Sequence, residues 1–203
     1  MGIYGGGGGR TPHYEKVMGF IDGSNFLIEL SRELNIDFRA DKPPLPTLSI
    51  GALLTNRFFN QDGRIPIRKY WFASYQGSEI DFKNYAMKLK EHHFEPILFK
   101  KHQGKEKGVD IALATEMLVN AFNQNYDIGI IVAGDKDYAG LVKEVKRYGP
   151  KIFGTFFKHG LSDDLAIAVD EFSDIMNSVD FSSGTLSTYV SEIKDIVEKN
   201  KQY

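Results

Sequence analysis

Four aspartates in this sequence combine a residue type and a placement that could do chemistry: Asp22, Asp110, Asp135 and Asp137. Asp22 ends a short apolar run in "FIDGSNFL", and Asp135 and Asp137 follow another in "IVAGDKDY". In an open parallel sheet, ligands bind beyond the carboxyl ends of the strands, so acids placed directly after two such runs share one edge. Asp110 stands four and seven residues ahead of Ala114 and Met117, on the core-facing stripe of a predicted helix and at its N-terminus. The helix dipole stabilises a carboxylate there. Several acids at one edge repel one another unless a cation neutralises them. With oxygen ligands alone on offer, Mg²⁺ or Mn²⁺ is the natural occupant. Such an ion activates water and stabilises the charge that develops on a phosphodiester during cleavage. Each acid also has an ordinary structural role open to it. Asp22 (or Ser24) suits a helix N-cap, Asp110 the cap of its own helix, Asp135 with Gly134 a tight turn, and Asp137 the first turn of a helix.

The elements that must carry these acids alternate along the chain. Val17 to Ile21 reads as a first strand, and Asn25 to Asn35 as a helix with Phe26, Leu27, Leu30 and Leu34 at helical spacing. Lys42 to Pro46, with three prolines, is a loop, and Leu48 to Asn60 a helix. "IRKYWFAS" (Ile67 to Ser74) is a strand rich in aromatic and β-branched residues. A helix over Ile80 to His92 and a strand over Glu95 to Phe99 follow. Ile111 to Asn123 is the clearest helix, with Ala114, Met117, Leu118, Ala121 and Phe122 as its apolar stripe. Ile128 to Val132, Tyr138 to Tyr148 and Lys151 to Phe157 read as strand, helix and strand, and Ser162 caps a short helix ending near Ala168. This alternation predicts an α/β fold with parallel strand pairing and helices on both faces. Leu186 to Lys199 is amphipathic through Leu186, Val190, Ile193 and Val197, suited to packing on the domain or to binding a partner helix.

Bulk properties narrow the function classes. The 203 residues are 42% hydrophobic and 26% charged, the balance of one sizeable soluble domain. A net charge of −2 means that nucleic-acid binding depends on a local basic patch. Zero cysteines exclude disulfides, thiolate metal sites and cysteine nucleophiles, and fit a reducing cytoplasm. No membrane span or signal peptide is expected. The glycine run Gly5 to Gly9 follows no strand, so it is read as a flexible segment and not as a phosphate loop.

"FIDGSN", "KGVDIALATEML" and "IVAGDKDYAGLVKEVKRYG" resemble, in order, the three signature blocks of the NYN domain family, a branch of the PIN-like and flap-nuclease-like metal-dependent ribonucleases. The resemblance spans about residues 16 to 175. It implies a three-layer α/β/α fold with a mainly parallel, PIN-like (Rossmann-like) sheet over residues 16–178. Residues 1–15 are then a glycine-rich N-terminus, and 179–203 a C-terminal helical extension. The family's metal-binding acids carry over to Asp22, Asp110, Asp135 and Asp137, and its first-motif asparagine to Asn25, whose amide would orient a water or the scissile phosphate; Ser24 could do similar work. Two departures from the family pattern stand out. Many members have Ser-Gly-Asp-Ser-Asp-Phe where this chain has Ala133-Gly134-Asp135-Lys136-Asp137-Tyr138, which removes a hydroxyl and sets a cation among the acids. Many also have Asp where Glu116 stands, roughly 240° around the helix from Asp110.

The resemblance implies an Mg²⁺- or Mn²⁺-dependent ribonuclease acting in the cytoplasm on single-stranded or structured RNA. The cations expected to hold the nucleic-acid backbone are Lys101, Lys105 and Lys107 in the segment leading to Asp110, with Lys136 and Lys158, and Ser24 beside them. His159 reads as a surface residue, since the ion can generate the nucleophile without a histidine. Other metal-aspartate families suit the sequence less. A haloacid-dehalogenase motif wants Asp where Phe20 stands, an adhesion-type Asp-x-Ser-x-Ser site wants Ser where Phe26 stands, and the dinucleotide-binding glycine fingerprint is missing. Two rival readings are a non-catalytic RNA- or protein-binding module that retains the metal site, and a regulatory partner that assembles, as a homodimer for example, through its C-terminal helix.

Overall fold

The computed structural model describes residues 14–101 and 108–201. In chain order the elements are β1 (Glu15–Asp22), α1 (Gly23–Leu34), α2 (Pro46–Phe59), β2 (Arg64–Tyr75), α3 (Glu79–Glu91), β3 (Glu95–Lys100) and α4 (Val109–Phe122). They continue with β4 (Ile128–Val132), α5 (Tyr138–Lys146), β5 (Lys151–Phe156), a 3₁₀ turn at Lys158–Gly160, α6 (Asp163–Ala168), β6 (Glu171–Asp174) and α7 (Gly184–Lys201). The strands form one six-stranded sheet in the order β3-β2-β1-β4-β5-β6, and every pairing is parallel. The chain therefore builds outward from β1 to β2 and β3, then returns to add β4, β5 and β6 on the other side. Strand order reverses between β1 and β4, and in such sheets that switch point opens a crevice at the carboxyl ends.

Side chains of β1 alternate between two cores. Val17 and Ile21 join one with Phe26, Leu27 and Leu30 of α1, Leu48 and Leu54 of α2, and Tyr85 and Leu89 of α3. Met18 and Phe20 join the other with Val109, Leu113 and Met117 of α4, Val142 and Val145 of α5, and Leu165 of α6. A strand buried on both faces must be apolar at every position, which is why β1 and β4 read as short continuous apolar runs. At β2 the Pro66 ring lacks an amide hydrogen. The register with β1 shifts there, Val17 pairing with Pro66 and Met18 with Arg68, the kind of bulge where a sheet tolerates proline. At the far end of β1, Trp71 lies across the start of α1 and donates its indole N–H to the Tyr85 hydroxyl at 3.2 Å. A Cβ on Gly23 would sit 2.0 Å from Trp71 Nε1, so only glycine lets the helix begin there.

The structure corrects one expectation at α4, adds a strand, and shows how α7 packs. The buried stripe of α4 is Val109, Leu113, Met117, Asn120 and Ala121, while Phe122 is 69% exposed and meets the Tyr148 ring edge-on. The sheet-facing row starts directly after Gly108, and Phe122 falls one residue beyond it, about 100° around the helix. Strand β6, with the sequence EFSD, carries no apolar alternation and was not expected. It forms because the edge of β5 offers a parallel partner, Phe153 to Phe156 pairing with Glu171 to Asp174. The apolar stripe of α7 is used within the chain: Ile193 is fully buried, and Leu186, Val190 and Val197 pack against the core that contains α2. Of the two roles the sequence offers this stripe, packing on the domain is the one seen. No described helix is long and apolar enough to cross a membrane.

Docking of α7 gives a direct test. Ile193→Ala is expected to destabilise the fold by about 2–5 kcal/mol, and Ile111→Ala, at a position 73% exposed, by no more than about 0.5 kcal/mol, both from urea unfolding. A near-neutral Ile193→Ala would show that α7 is undocked in solution.

Candidate active site

At the carboxyl end of β1 the chain passes straight into α1, and Asp22 does two jobs. As the N-cap of that helix its Oδ1 accepts the Asn25 backbone N–H at 2.9 Å, and its Oδ2 accepts from the Tyr138 hydroxyl at 2.9 Å. Asp22 is buried, at 5% exposure. Between Asp22 and Ser24 as candidate caps, the structure decides for Asp22. Ser24 instead accepts the Ser74 N–H at 3.0 Å, tying the start of α1 to the end of β2. Asn25 faces the other neighbour: its Oδ1 accepts the Gly134 N–H at 2.9 Å, joining α1 to the loop that leaves β4. The turn after β1 is thus fastened to both flanking strands through two side chains that accept backbone hydrogens.

Asp110 arrives from the opposite face of the sheet. Gly108 is the N-cap of α4 at φ 104°, a left-handed conformation that favours glycine, and Asp110 follows as the second residue of the helix. Its residue is exposed, yet its Oδ1 lies 2.9 Å from the Tyr138 hydroxyl. Tyr138 is the first residue of α5 and only 3% exposed. Burial, and then the charges of Asp22 and Asp110, push its ionisation far above the ordinary tyrosine value, so it remains a neutral phenol. Two carboxylates from two faces of the sheet therefore meet at one hydroxyl.

Asp135 and Asp137 stand on the adjoining loop, both exposed. Asp135 Oδ1 accepts the Asp137 N–H at 3.0 Å, and Asp137 takes the N-cap position of α5 without a side-chain capping bond. Gly134 is clasped from both sides. A Cβ there would lie 2.0 Å from the Gly160 carbonyl oxygen, and its own carbonyl accepts the Ser162 N–H at 2.9 Å. Among the described residues, no three His, Asp or Glu side chains come close enough together to hold a metal ion. The structure brings Asp22 and Asp110 to one hydroxyl, and it does not gather Asp135 or Asp137 with them into a group of three acids.

The expected cations fall into three groups. Lys136 and Lys158 are exposed at this edge of the sheet. Lys101 is engaged, its Nζ 3.1 Å from Asp41. Burial would raise the Asp41 carboxyl, but hydrogen bonds from Arg39 and Lys101 outweigh it and hold the group below the ordinary range. Lys105 and Lys107 lie outside the described residues. His159 reaches Glu29, a carboxylate 5% exposed, with Nε2 2.9 Å from Oε2. Glu116 is half-buried and accepts from Asn120 Nδ2 at 3.1 Å. The residue that sequence reasoning overlooked is Tyr138. Its signal was available: Tyr138, Val142 and Val145 form the buried stripe of α5, so a tyrosine at the first position of that stripe carries its hydroxyl to the edge where the acids collect.

Comparison with known proteins gives a family match and a fold match. The family model described as "NYN domain" matches residues 16–177. No curated protein matches the chain significantly. Among solved structures, a crystal structure of a protein of unknown function from Vibrio parahaemolyticus RIMD 2210633 is similar with a TM-score of 0.60 and 19% sequence identity, covering 82% of this chain and 96% of that one. At that identity the likeness shows the fold alone.

The Asn25 bridge is testable by hydrogen exchange. Asn25→Ala leaves the Gly134 N–H without its acceptor, a loss of about 1–3 kcal/mol, so exchange at Gly134 is expected to speed up at least about fivefold. Unchanged exchange would show that Gly160 and Ser162 hold the loop without Asn25.

Proposed function

This chain belongs to the NYN domain family, and from that premise we propose that it is an Mg²⁺- or Mn²⁺-dependent ribonuclease that hydrolyses RNA phosphodiester bonds at the switch point of its sheet. Family membership implies a nuclease-type hydrolase. The finer reading is carried by one observation, the convergence of Asp22 Oδ2 and Asp110 Oδ1 on a single point, each 2.9 Å from the same phenol oxygen. The donor chemistry fits a hard cation. Magnesium is commonly held through one or two carboxylates, with water and substrate phosphate completing its shell, so an Asp22–Asp110 pair is a sufficient protein ligand set. Asp135 and Asp137, exposed on the adjoining loop, are the further acids of the site. When bound, the ion would supply Lewis acidity toward the phosphate and make a bound water more acidic and so a better nucleophile.

The remaining work falls to the chain's own side chains. Asp22 keeps a fixed rotamer because its Oδ1 caps α1. Asn25 fixes the position of the Gly134 loop through its Oδ1 and keeps its amide hydrogens for a water or the scissile phosphate. An acidic edge by itself repels RNA, so exposed cations must offset it. Lys136 and Lys158 serve this role, along with Lys105 and Lys107 in the segment just before Asp110. Lys101 contributes once its pairing with Asp41 is exchanged for phosphate. Ser24 acts through position, by holding the start of α1 against β2. The setting is cytoplasmic, in keeping with a chain that contains no cysteine.

A second reading has one observation in its favour: no three carboxylates gather around one point among the described residues. On that reading the domain binds RNA or protein without cutting. Labelled single-stranded and structured RNAs incubated with EDTA, Mg²⁺ or Mn²⁺ separate the two. The ribonuclease reading expects cleavage only with metal, reduced on the order of 10²- to 10³-fold in folded Asp110→Asn and Asp135→Asn variants. Protein that binds RNA and cuts nothing under any condition would establish the binding module instead.

A further inference from the structure

The ribonuclease reading leaves the best-buried polar group of the site without a task. Tyr138 is 3% exposed and packs in the core formed with α4 and α6. Its hydroxyl lies 2.9 Å from Asp22 Oδ2 and 2.9 Å from Asp110 Oδ1. Three chain segments that are far apart in sequence thus meet at one oxygen: the end of β1, the first turn of α4 and the first turn of α5. A phenol has one proton, so this O–H serves the two carboxylates by turning between them, and it draws both toward the same point.

The direction of approach matters. Tyr138 comes from the packed side of the site, whereas Asp110 is exposed to solvent. A carboxylate oxygen has two lone pairs. The phenol takes one oxygen of each carboxylate, Asp22 Oδ2 and Asp110 Oδ1, and the exposed side of Asp110 is where a cation would approach. The phenol also sets how far apart two like charges stand, which repulsion alone would widen. Partners that hold metal ligands from behind in this way fix ligand orientation and commonly govern affinity.

We propose that Tyr138 is a positioning residue for divalent-cation binding, a buried clamp whose hydroxyl holds the Asp22 and Asp110 carboxylates toward one point, where they would hold a cation together. The inference rests on the metal-dependent reading above. It also gives the tyrosine at the start of α5 a role that a phenylalanine of nearly equal shape cannot fill, because the aromatic packing is common to both and only the O–H is lost.

Calorimetric titration of the full-length protein with Mn²⁺, in parallel with Tyr138→Phe, tests the clamp. The expected result is a dissociation constant raised about 10- to 100-fold in Tyr138→Phe, with thermal unfolding in excess Mn²⁺ showing that the variant is folded. Ile193→Ala, which weakens the fold far from the acids, serves as the control for stability and is expected to bind Mn²⁺ as the parent does. Equal or tighter Mn²⁺ binding by Tyr138→Phe, with binding by the parent intact, overturns the clamp and leaves the metal-dependent reading standing. An equal loss of affinity in Ile193→Ala overturns it too, since the effect would then follow stability and not the hydroxyl. A parent protein that binds no Mn²⁺ overturns the metal-dependent reading, and the clamp falls with it.

Discussion

Strand β1 pairs in parallel with β2 on one side and with β4 on the other, and this central position is the constraint on which the site depends. All strands of a parallel sheet end at the same edge, and each helix that follows begins there. The edge therefore collects helix N-termini, with their unpaired N–H groups and positive dipole ends. Asp22 caps α1, Asp110 sits in the first turn of α4, and Asp137 is the N-cap residue of α5. Each acid occupies a place where the local field favours an anion, which offsets part of the repulsion among them. The ordinary structural roles of these aspartates are thus compatible with the cation chemistry proposed for them. A residue can cap a helix and still present an oxygen to a ligand.

Bringing these termini together requires close contact between backbones. Trp71 lies against Gly23 and the Gly160 carbonyl against Gly134, at separations that leave no room for a Cβ. The two contacts fix the start of α1 and the exit from β4, and Asn25 then joins one to the other through the Gly134 N–H. Packing in the core is in this way coupled to the position of polar atoms at the surface. A shift of Trp71 would move α1, and with it both oxygens of Asp22. Rigid elements hold such constellations more accurately than loops do, and here α1, α4 and α5 each supply a group from the first turn or cap.

Much of the architecture was legible because its signals are local. The apolar runs at Ile128–Val132 and the end of β1, the Ser162 cap and the helical spacing in α1 each depend on neighbouring residues, and each element formed where the spacing put it. The exceptions needed a partner to exist. Strand β6 has no pattern of its own and is a strand because β5 pairs with it. Phe122 belongs to the apolar spacing of α4 but stands outside the row that meets the sheet, and it packs on Tyr148 instead. At the site, spacing pointed to Asp22 and Asp110, whereas the bonds of Ser24 to Ser74 and of Asn25 to Gly134 join positions 50 and 109 residues apart. Such pairings have no local trace.

The sequence by itself determined the α/β class, the alternation of elements and the presence of acids directly after two apolar strands, because periodicity and capping act over a few residues. The family likeness, too, was carried by three short blocks. Tertiary structure alone decided the strand order that makes the space between β1 and β4 the switch point, and it decided that α7 closes on α2. It also decided that a tyrosine from α5 stands between carboxylates from β1 and α4. The physical reason is the same throughout: an interaction between distant segments depends on which surfaces the whole chain can bury at once, and no window of neighbouring residues contains that information.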